Sequence, residues 1–187
     1  FILVGDSLGN VIQGNATTLT VTLDEIIYHA KIVKKAVKTA LLVVDLPFMS
    51  YHVDLRESVR NCGRVMKETG ADAVKLEGGE RIAEVVKHLV KVGIPVMGHL
   101  GLTPQSINIF GTYVTRGTDP KEARMIQRDA KILQEAGCFG IVLEKIPASL
   151  AKKVTASLKI PTIGIGAGVN CAGQLLVTHD MLGMTEM

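Results

Sequence analysis

Acidic residues close several of the apolar runs in this sequence. Asp6, Asp45 and Glu77 each follow a short aliphatic segment that is typical of a buried β-strand. A buried carboxylate without a partner is costly, so each acid either faces solvent at a strand end or binds a cation. Oxygen ligands with no histidine or thiolate beside them suit Mg²⁺ better than zinc. The sequence therefore indicates a magnesium site, and the alternative is that each acid is only a strand-end cap.

Lys75, Glu144 and His99 could also take part in chemistry. Lys75 lies two residues before Glu77, so both side chains point to the same face of one strand. It could neutralise Glu77 or bind an anionic substrate. Glu144 ends a wholly apolar run, where it could act as a general base or form a salt bridge to Lys145 or another lysine. His99 could be catalytic, or a hydrogen-bonded structural histidine.

Strands and helices alternate along the chain, and strands in this order lie parallel. Polar residues follow the strands all along the sequence. This favours a closed (β/α)8 barrel over an open doubly wound sheet, which concentrates its site at one switch point. We predict an α/β fold, a (β/α)8 TIM barrel that lacks its first strand and its C-terminal helix, in one catalytic domain over residues 1–187. The seven predicted strands cover residues 1–6, 41–45, 72–77, 94–98, 139–144, 161–165 and 175–178.

Capping signals place the helices between these strands. Asp54 and Gly70 bracket one helix, and Asp119 and Gly137 bracket another. The least regular segment is residues 100–118, and a loop of that length in a compact domain is usually functional. The glycines of residues 164–168 lack the helix and acidic residue of a dinucleotide motif, so close backbone packing explains them better. The predicted helices cover residues 25–38, 54–69, 80–92, 119–136 and 148–158.

Composition limits the classes of function. The chain has 187 residues, of which 47% are hydrophobic, enough for a substantial core. A net charge of +3 is too small and too dispersed to indicate nucleic-acid binding. Three cysteines without paired spacing fit a reducing compartment. No run reaches the roughly 18 apolar residues of a membrane span. We therefore expect a cytoplasmic protein that binds neither nucleic acid nor membranes.

The candidate residues lie in six short motifs. These are residues 4–9 (VGDSLG), 45–49 (DLPFM), 74–79 (VKLEGG), 98–106 (GHLGLTPQS), 143–144 (LE) and 163–168 (IGIGAG). In order and spacing they resemble the 3-methyl-2-oxobutanoate hydroxymethyltransferase (ketopantoate hydroxymethyltransferase) family, over essentially the whole chain. The string at residues 98–106 is the most specific of them, because it is long and unusual.

The resemblance implies a fold, an activity and a metal. Members of the family are (β/α)8 barrels that move a one-carbon unit from 5,10-methylenetetrahydrofolate onto 3-methyl-2-oxobutanoate. The product is 2-dehydropantoate, an early intermediate of pantothenate and coenzyme A biosynthesis. The resemblance further implies that Asp6 and Asp45 hold Mg²⁺, and that Glu77 reaches the metal directly or through water.

The resemblance also implies roles around the oxoacid. Ser7 and Lys75 would bind it, beside the metal ligands Asp6 and Asp45. Glu144 would accept the proton from C3, and His99 would lie close to the reacting carbon. Family members commonly form decamers, which implies a homo-oligomer. The family's first strand and C-terminal helix have no counterpart in residues 1–187, so barrel closure and the subunit contacts of those segments are in doubt.

Two other functions compete with this one. The first is a Mg²⁺-dependent carbon–carbon lyase acting on 2-oxoacids, of the phosphoenolpyruvate mutase and isocitrate lyase type. A catalytic cysteine in a long lid loop would favour it, whereas Cys62, Cys138 and Cys171 fall in or beside predicted helices and turns. The second is a binding module without turnover, which would not need Glu144.

The metal hypothesis makes one geometric demand. Asp6 and Asp45, each at the end of a strand, must lie at the same end of the barrel.

Overall fold

The computed structural model describes residues 1–185 as a parallel sheet with helices between its strands. Seven strands pair in chain order, each with the next along the sequence, as in a (β/α)8 barrel. The predicted α/β barrel fold is therefore confirmed, as a partial barrel within the described residues. The strands are β1 (Ile2–Val4), β2 (Leu42–Asp45), β3 (Ala73–Glu77), β4 (Val96–Gly101), β5 (Gly140–Glu144), β6 (Thr162–Ile165) and β7 (Gly173–Gln174).

The longer helices begin at the predicted caps. The Asp54 side chain accepts a hydrogen bond from the Glu57 N–H at 2.7 Å, and Gly70 ends that helix in the left-handed conformation. Asp119 caps a later helix in the same way. The α-helices are α1 (Leu8–Val11), α2 (Leu23–Ala36), α3 (Leu55–Thr69), α4 (Ala83–Lys91), α5 (Ile107–Phe110), α6 (Pro120–Ala136), α7 (Ala148–Ser157) and α8 (Thr178–Met181), with 3-10 turns at Glu80–Ile82 and Pro104–Ser106.

The prediction that β4 ends before His99 was wrong. The strand continues to Gly101, because its neighbour β5 goes on pairing with it and the Leu102 N–H donates to the Glu144 carbonyl at 2.8 Å. His99 therefore lies within a strand. The segment that follows is shorter than predicted and contains a 3-10 turn and α5.

The last strand was also misplaced. Residues 175–178 were predicted as a strand, but the pairing occurs two residues earlier, at Gly173–Gln174. The partner strand β6 ends at Ile165, and Gly166 then turns the chain at a φ of 61°. Only the start of the following segment can therefore reach β6. The apolar residues after it are partly exposed, and Thr178 begins the short helix α8.

Side-chain alternation separates an outer core from the barrel interior. Residues of one face, such as Leu42 and Val44, pack against the helices. Residues of the other face form a small apolar cluster inside the sheet, made by Val43, Ala73, Met97 and Val142. Two or four residues further along the same strands, that inner face carries polar side chains. The barrel interior is thus apolar at depth and polar at the carboxyl ends of the strands.

Gly79 shows how tightly the turn after β3 is packed. A Cβ on Gly79 would lie 1.9 Å from Asp129 Oδ2 and 2.6 Å from Asp129 Cβ, so a rotamer change alone could not relieve the clash. We expect Gly79→Ala to destabilise the protein by about 1–3 kcal/mol in urea unfolding. Gly63→Ala is the control, because nothing lies within 4 Å of its Cβ position in α3. It should be neutral or stabilise by up to about 1 kcal/mol. Equal stability of the two variants would contradict this account.

Close packing, as predicted, explains Gly164 and Gly168, whereas Gly166 has only ordinary contacts and is explained by its positive φ. A Cβ on Gly168 would lie 2.5 Å from the Ala148 Cβ at the start of α7.

Among residues 1–185, no helix combines the length and apolar character needed to cross a membrane.

Candidate functional site

Three carboxylates converge at the carboxyl ends of β1, β2 and β3. One ligand oxygen from each of Asp6, Asp45 and Glu77 lies within 4.8 Å of the other two. All three side chains are buried, with residue exposures of 4%, 2% and 1%. The structure therefore places the two aspartates at the same mouth of the barrel, within reach of a common ion. This is the arrangement that the metal hypothesis requires.

Burial makes these acids costly as free anions. Burial raises the pKa of Asp45 to about 8, although the nearby charge of Lys75 opposes the shift. Burial together with the negative charge of Glu77 raises the pKa of Asp6 to about 6. Asp45 Oδ1 and Asp6 Oδ2 are buried without a hydrogen-bond partner. Buried carboxylate oxygens without partners are unusual in folded proteins, and they fit the ligands of a cation.

The spacing of the trio also fits a small divalent ion. Two oxygens on opposite sides of one Mg²⁺ are about 4.2 Å apart, since each ligand lies at roughly 2.1 Å. The three ligand atoms lie within 4.8 Å of one another, a limit that accommodates this spacing. An all-oxygen set of this kind is the one that Mg²⁺ prefers.

Lys75 reaches into the carboxylates from the middle of β3. Its Nζ lies 2.6 Å from Asp45 Oδ2 and 3.6 Å from Glu77 Oε1. Burial lowers the pKa of Lys75, but the charges of Asp45, Glu77 and Asp6 outweigh burial and the net shift is upward. The ammonium group is therefore charged at neutral pH. Its shortest contact is with Asp45 rather than with Glu77, the partner considered from the sequence.

His99 connects the trio to Glu144. His99 Nδ1 lies 3.2 Å from Glu77 Oε1, and Nε2 lies 3.2 Å from Glu144 Oε2 without the alignment of a hydrogen bond. Burial and the charge of Lys75 lower the pKa of His99, but its contacts with the two glutamates outweigh them and raise it to about 9. The ring is therefore held between two carboxylates, and Lys75 Nζ also lies 3.2 Å from its Nδ1.

Glu144 is partly exposed, although it ends a wholly apolar run. Its side chain is 23% exposed and faces the same cavity as the trio. Lys145 adopts a φ of 48°, so the chain turns sharply after Glu144. In residues 1–185 the carboxylate forms no ion pair with a lysine, and the alternative of a lysine salt bridge is not what the structure shows.

One cavity of about 390 Å³ contains every residue that the sequence singled out for chemistry. This volume is in the usual range for small-molecule sites. Ser7 lies on its wall at the start of α1, and its side chain makes no capping hydrogen bond. Leu3, Val142 and Ile165 provide an apolar part of the lining. The site residues in the cavity are Asp6, Ser7, Asp45, Lys75, Glu77, His99 and Glu144.

The sequence did not reveal two buried polar side chains beside the trio. Tyr51 comes from the loop after β2, and Gln105 from the 3-10 turn after β4. The Tyr51 hydroxyl donates to Gln105 Oε1 at 2.8 Å, and the Gln105 backbone N–H donates to Glu77 Oε2 at 3.0 Å. Gln105 lies in the specific string at residues 98–106, which was the one available signal. No feature of the sequence around Tyr51 indicates that it lies beside the carboxylates.

The fold and the site define a (β/α)8-barrel protein with a candidate site for a divalent cation and an anionic ligand at the strand carboxyl ends. Family comparison is more specific. The chain belongs to the ketopantoate hydroxymethyltransferase family, whose model matches residues 1–187. The family resemblance seen in the motifs is thus confirmed.

Curated relatives carry the name 3-methyl-2-oxobutanoate hydroxymethyltransferase. One from Cytophaga hutchinsonii is 61% identical over 185 residues, which is 99% of this chain and 68% of the relative. Another from Clostridioides difficile is 57% identical over 183 residues, which is 98% of this chain and 66% of the relative. The chain therefore spans about two thirds of the length of these relatives.

Similar solved structures share the fold alone. A phosphonopyruvate hydrolase has a TM-score of 0.72 at 10% identity, covering 98% of this chain and 69% of that one. A phosphonomutase-like protein from Burkholderia cenocepacia J2315 has a TM-score of 0.69 at 14% identity, covering 97% and 80%. These likenesses support the barrel, but at such low identity they carry no argument about the reaction.

Proposed function

We propose that the protein transfers a hydroxymethyl group from 5,10-methylenetetrahydrofolate to 3-methyl-2-oxobutanoate, giving 2-dehydropantoate for pantothenate and coenzyme A biosynthesis. One observation carries the proposal. The carboxylates of Asp6, Asp45 and Glu77 line one cavity together with Lys75 and Glu144, in a chain that belongs to this family. A binding module without turnover would not need Glu144 beside that site.

Asp6 and Asp45 are the proposed Mg²⁺ ligands, and Glu77 would reach the ion directly or through water. Support comes from the unpaired oxygens of the two aspartates and from the approach of the three ligand atoms to within 4.8 Å of one another. A bound Mg²⁺ would supply positive charge that stabilises the enolate of the oxoacid. Lys75 adds a second positive charge on the same wall and would offset the negative charge that develops in the transition state.

Glu144 is the proposed base. It would take the proton from C3 of the oxoacid. Water would hydrolyse the methylene bridge of the folate, breaking both of its C–N bonds and releasing tetrahydrofolate and formaldehyde. The electron pair left at C3 would form the new C–C bond to the formaldehyde carbon, and the formaldehyde oxygen would take the proton from Glu144 and become the hydroxyl of the product. The partly exposed Glu144 carboxylate faces the cavity and is held beside His99. The Ser7 hydroxyl, which makes no cap hydrogen bond, is available to the substrate carboxylate.

We also propose the cellular setting that the family resemblance suggests. The protein would be a single-domain cytoplasmic enzyme whose partners are its small-molecule substrates and further copies of itself, with no nucleic acid or membrane. A decamer is the proposed assembly. Light scattering coupled to size-exclusion chromatography measures the number of subunits directly.

The lyase alternative has less support. It would be favoured by a reactive cysteine, but burial raises the pKa of the Cys62 and Cys138 thiols to about 12. Cys171 is partly buried, and its Sγ would lie 3.0 Å from a Cβ on Gly164. None of the three cysteines lines the cavity that holds the carboxylates.

Proton exchange at C3 tests the proposed function. We expect the purified full-length protein with Mg²⁺ in D₂O to exchange the C3 hydrogen of 3-methyl-2-oxobutanoate, as followed by NMR, and EDTA to stop the exchange. 3,3-Dimethyl-2-oxobutanoate, which has no C3 hydrogen, should bind without exchange. If the oxoacid binds but C3 never exchanges, with or without the folate, the proposal is wrong.

A further inference from the structure

Gln105 contacts the strand ends that carry the carboxylates. Its Nε2 donates to the Leu46 carbonyl at 2.8 Å, directly after Asp45. Its backbone N–H donates to Glu77 Oε2 at 3.0 Å. One residue from the turn after β4 thus connects the ends of β2 and β3.

Tyr51 holds Gln105 in this position. The Tyr51 hydroxyl donates to Gln105 Oε1 at 2.8 Å and accepts from the Glu77 N–H at 3.1 Å. Burial, reinforced by the negative charge of Glu77, raises the pKa of Tyr51 well above its usual value, so the hydroxyl remains a donor. Tyr51 is 2% exposed and Gln105 is 5% exposed. Both polar atoms of the Gln105 side-chain amide therefore have partners, and the Leu46 carbonyl, which can only accept, fixes which end is the nitrogen.

We propose that Gln105, held by Tyr51, is a positioning residue that sets the spacing of Asp45 and Glu77 to that of a small divalent cation. The inference rests on the proposed function, because it assumes a metal between these carboxylates. Mg²⁺ demands ligands at about 2.0–2.1 Å in near-octahedral geometry, whereas Ca²⁺ accepts about 2.3–2.6 Å in flexible geometry. Fixed strand ends would therefore favour Mg²⁺ over Ca²⁺.

Direct metal titration of Gln105→Met and Tyr51→Phe tests the proposal. Methionine keeps the length of the side chain and the backbone N–H to Glu77, but loses both amide contacts. We expect the Kd for Mg²⁺, measured by calorimetry without substrate, to rise about 10–100-fold in Gln105→Met, as for other residues that orient metal ligands. The rise should be smaller in Tyr51→Phe, and the Kd for Ca²⁺ should change less than that for Mg²⁺ in both variants.

Thr162→Val is the matched control. It removes one buried hydroxyl contact, 2.6 Å from Thr155 Oγ1, on β6 of the same sheet. It should lower the melting temperature without changing either Kd. If Mg²⁺ affinity is unchanged in both test variants, or if Mg²⁺ and Ca²⁺ affinities fall equally, the positioning role is overturned. If the unmodified protein binds no Mg²⁺, the proposed function itself fails, which is a distinct result. Tyr51→Phe keeps the test decisive should Gln105→Met fail to fold.

Discussion

Asp45→Asn should remove Mg²⁺ binding and lower kcat/KM by more than about 10³-fold, since a metal that stabilises transition-state charge contributes several kcal/mol. The amide keeps the size of the carboxylate but loses its negative charge and one acceptor oxygen. Asp45 is buried at the end of β2 within reach of Asp6 and Glu77, so another residue could not easily take its place. Calorimetric titration with Mg²⁺ and initial-rate kinetics measure the two effects.

The same substitution should leave the metal-free protein close to its original stability. Without metal, the substitution removes the ion pair with Lys75, but it also removes the cost of burying the carboxylate and its repulsion from Asp6 and Glu77, so the effects on stability largely offset each other. Mg²⁺ at 100 times its Kd should stabilise the unmodified protein by about 2.7 kcal/mol and the variant not at all. Thermal unfolding with and without Mg²⁺ separates a missing ligand from a damaged fold.

Asp72→Asn is a suitable control for the loss of an acid. Asp72 precedes β3, at the opposite end of the strand from Glu77, and its Oδ2 accepts from the Leu42 N–H at 2.8 Å. An asparagine there can still accept that hydrogen bond. Its Mg²⁺ response should match that of the unmodified protein. If Asp45→Asn keeps normal Mg²⁺ affinity, the aspartate at the end of β2 is not a metal ligand.

Glu144→Gln should slow C3 exchange of 3-methyl-2-oxobutanoate by about 10²–10⁴-fold, the usual contribution of a positioned general base. Glutamine can occupy the same place beside His99 Nε2 but cannot accept the proton. Binding of the oxoacid should change little, because the proposed anion and metal groups lie on the other side of His99, around Lys75. NMR exchange rates and calorimetric Kd values for the oxoacid measure the two properties separately.

Glu135→Gln provides the matched control for this substitution, because Glu135 is exposed near the end of α6. It should exchange C3 hydrogen at the unmodified rate. Loss of oxoacid binding in Glu144→Gln would instead indicate that Glu144 holds the substrate. Unchanged exchange would show that another group is the base, and His99 would then be the first residue to test.

The acidic strand ends could be predicted from the chain because their signals are local. A run of aliphatic residues favours a buried strand, and the two-residue alternation of a strand puts Lys75 and Glu77 on one face whatever surrounds them. The order of strands and helices then indicates a parallel sheet, and the polar residues at the strand ends all along the chain favour a barrel. The boundaries of β4 and β7 could not be predicted in this way, because a strand ends where its neighbour stops pairing with it.

Residue types and their order were thus enough to select the acids, the lysine and Glu144 as candidate site residues, and to place them at one end of a barrel. The chain order could not show that Lys75 contacts Asp45 more closely than Glu77. Nor could it show that His99 lies between Glu77 and Glu144. The contact of Tyr51 with Gln105 beside the carboxylates was equally hidden. Those contacts join residues 22 to 54 positions apart. They depend on sheet register and on how two loops pack over the barrel mouth, and neither is encoded in any single segment.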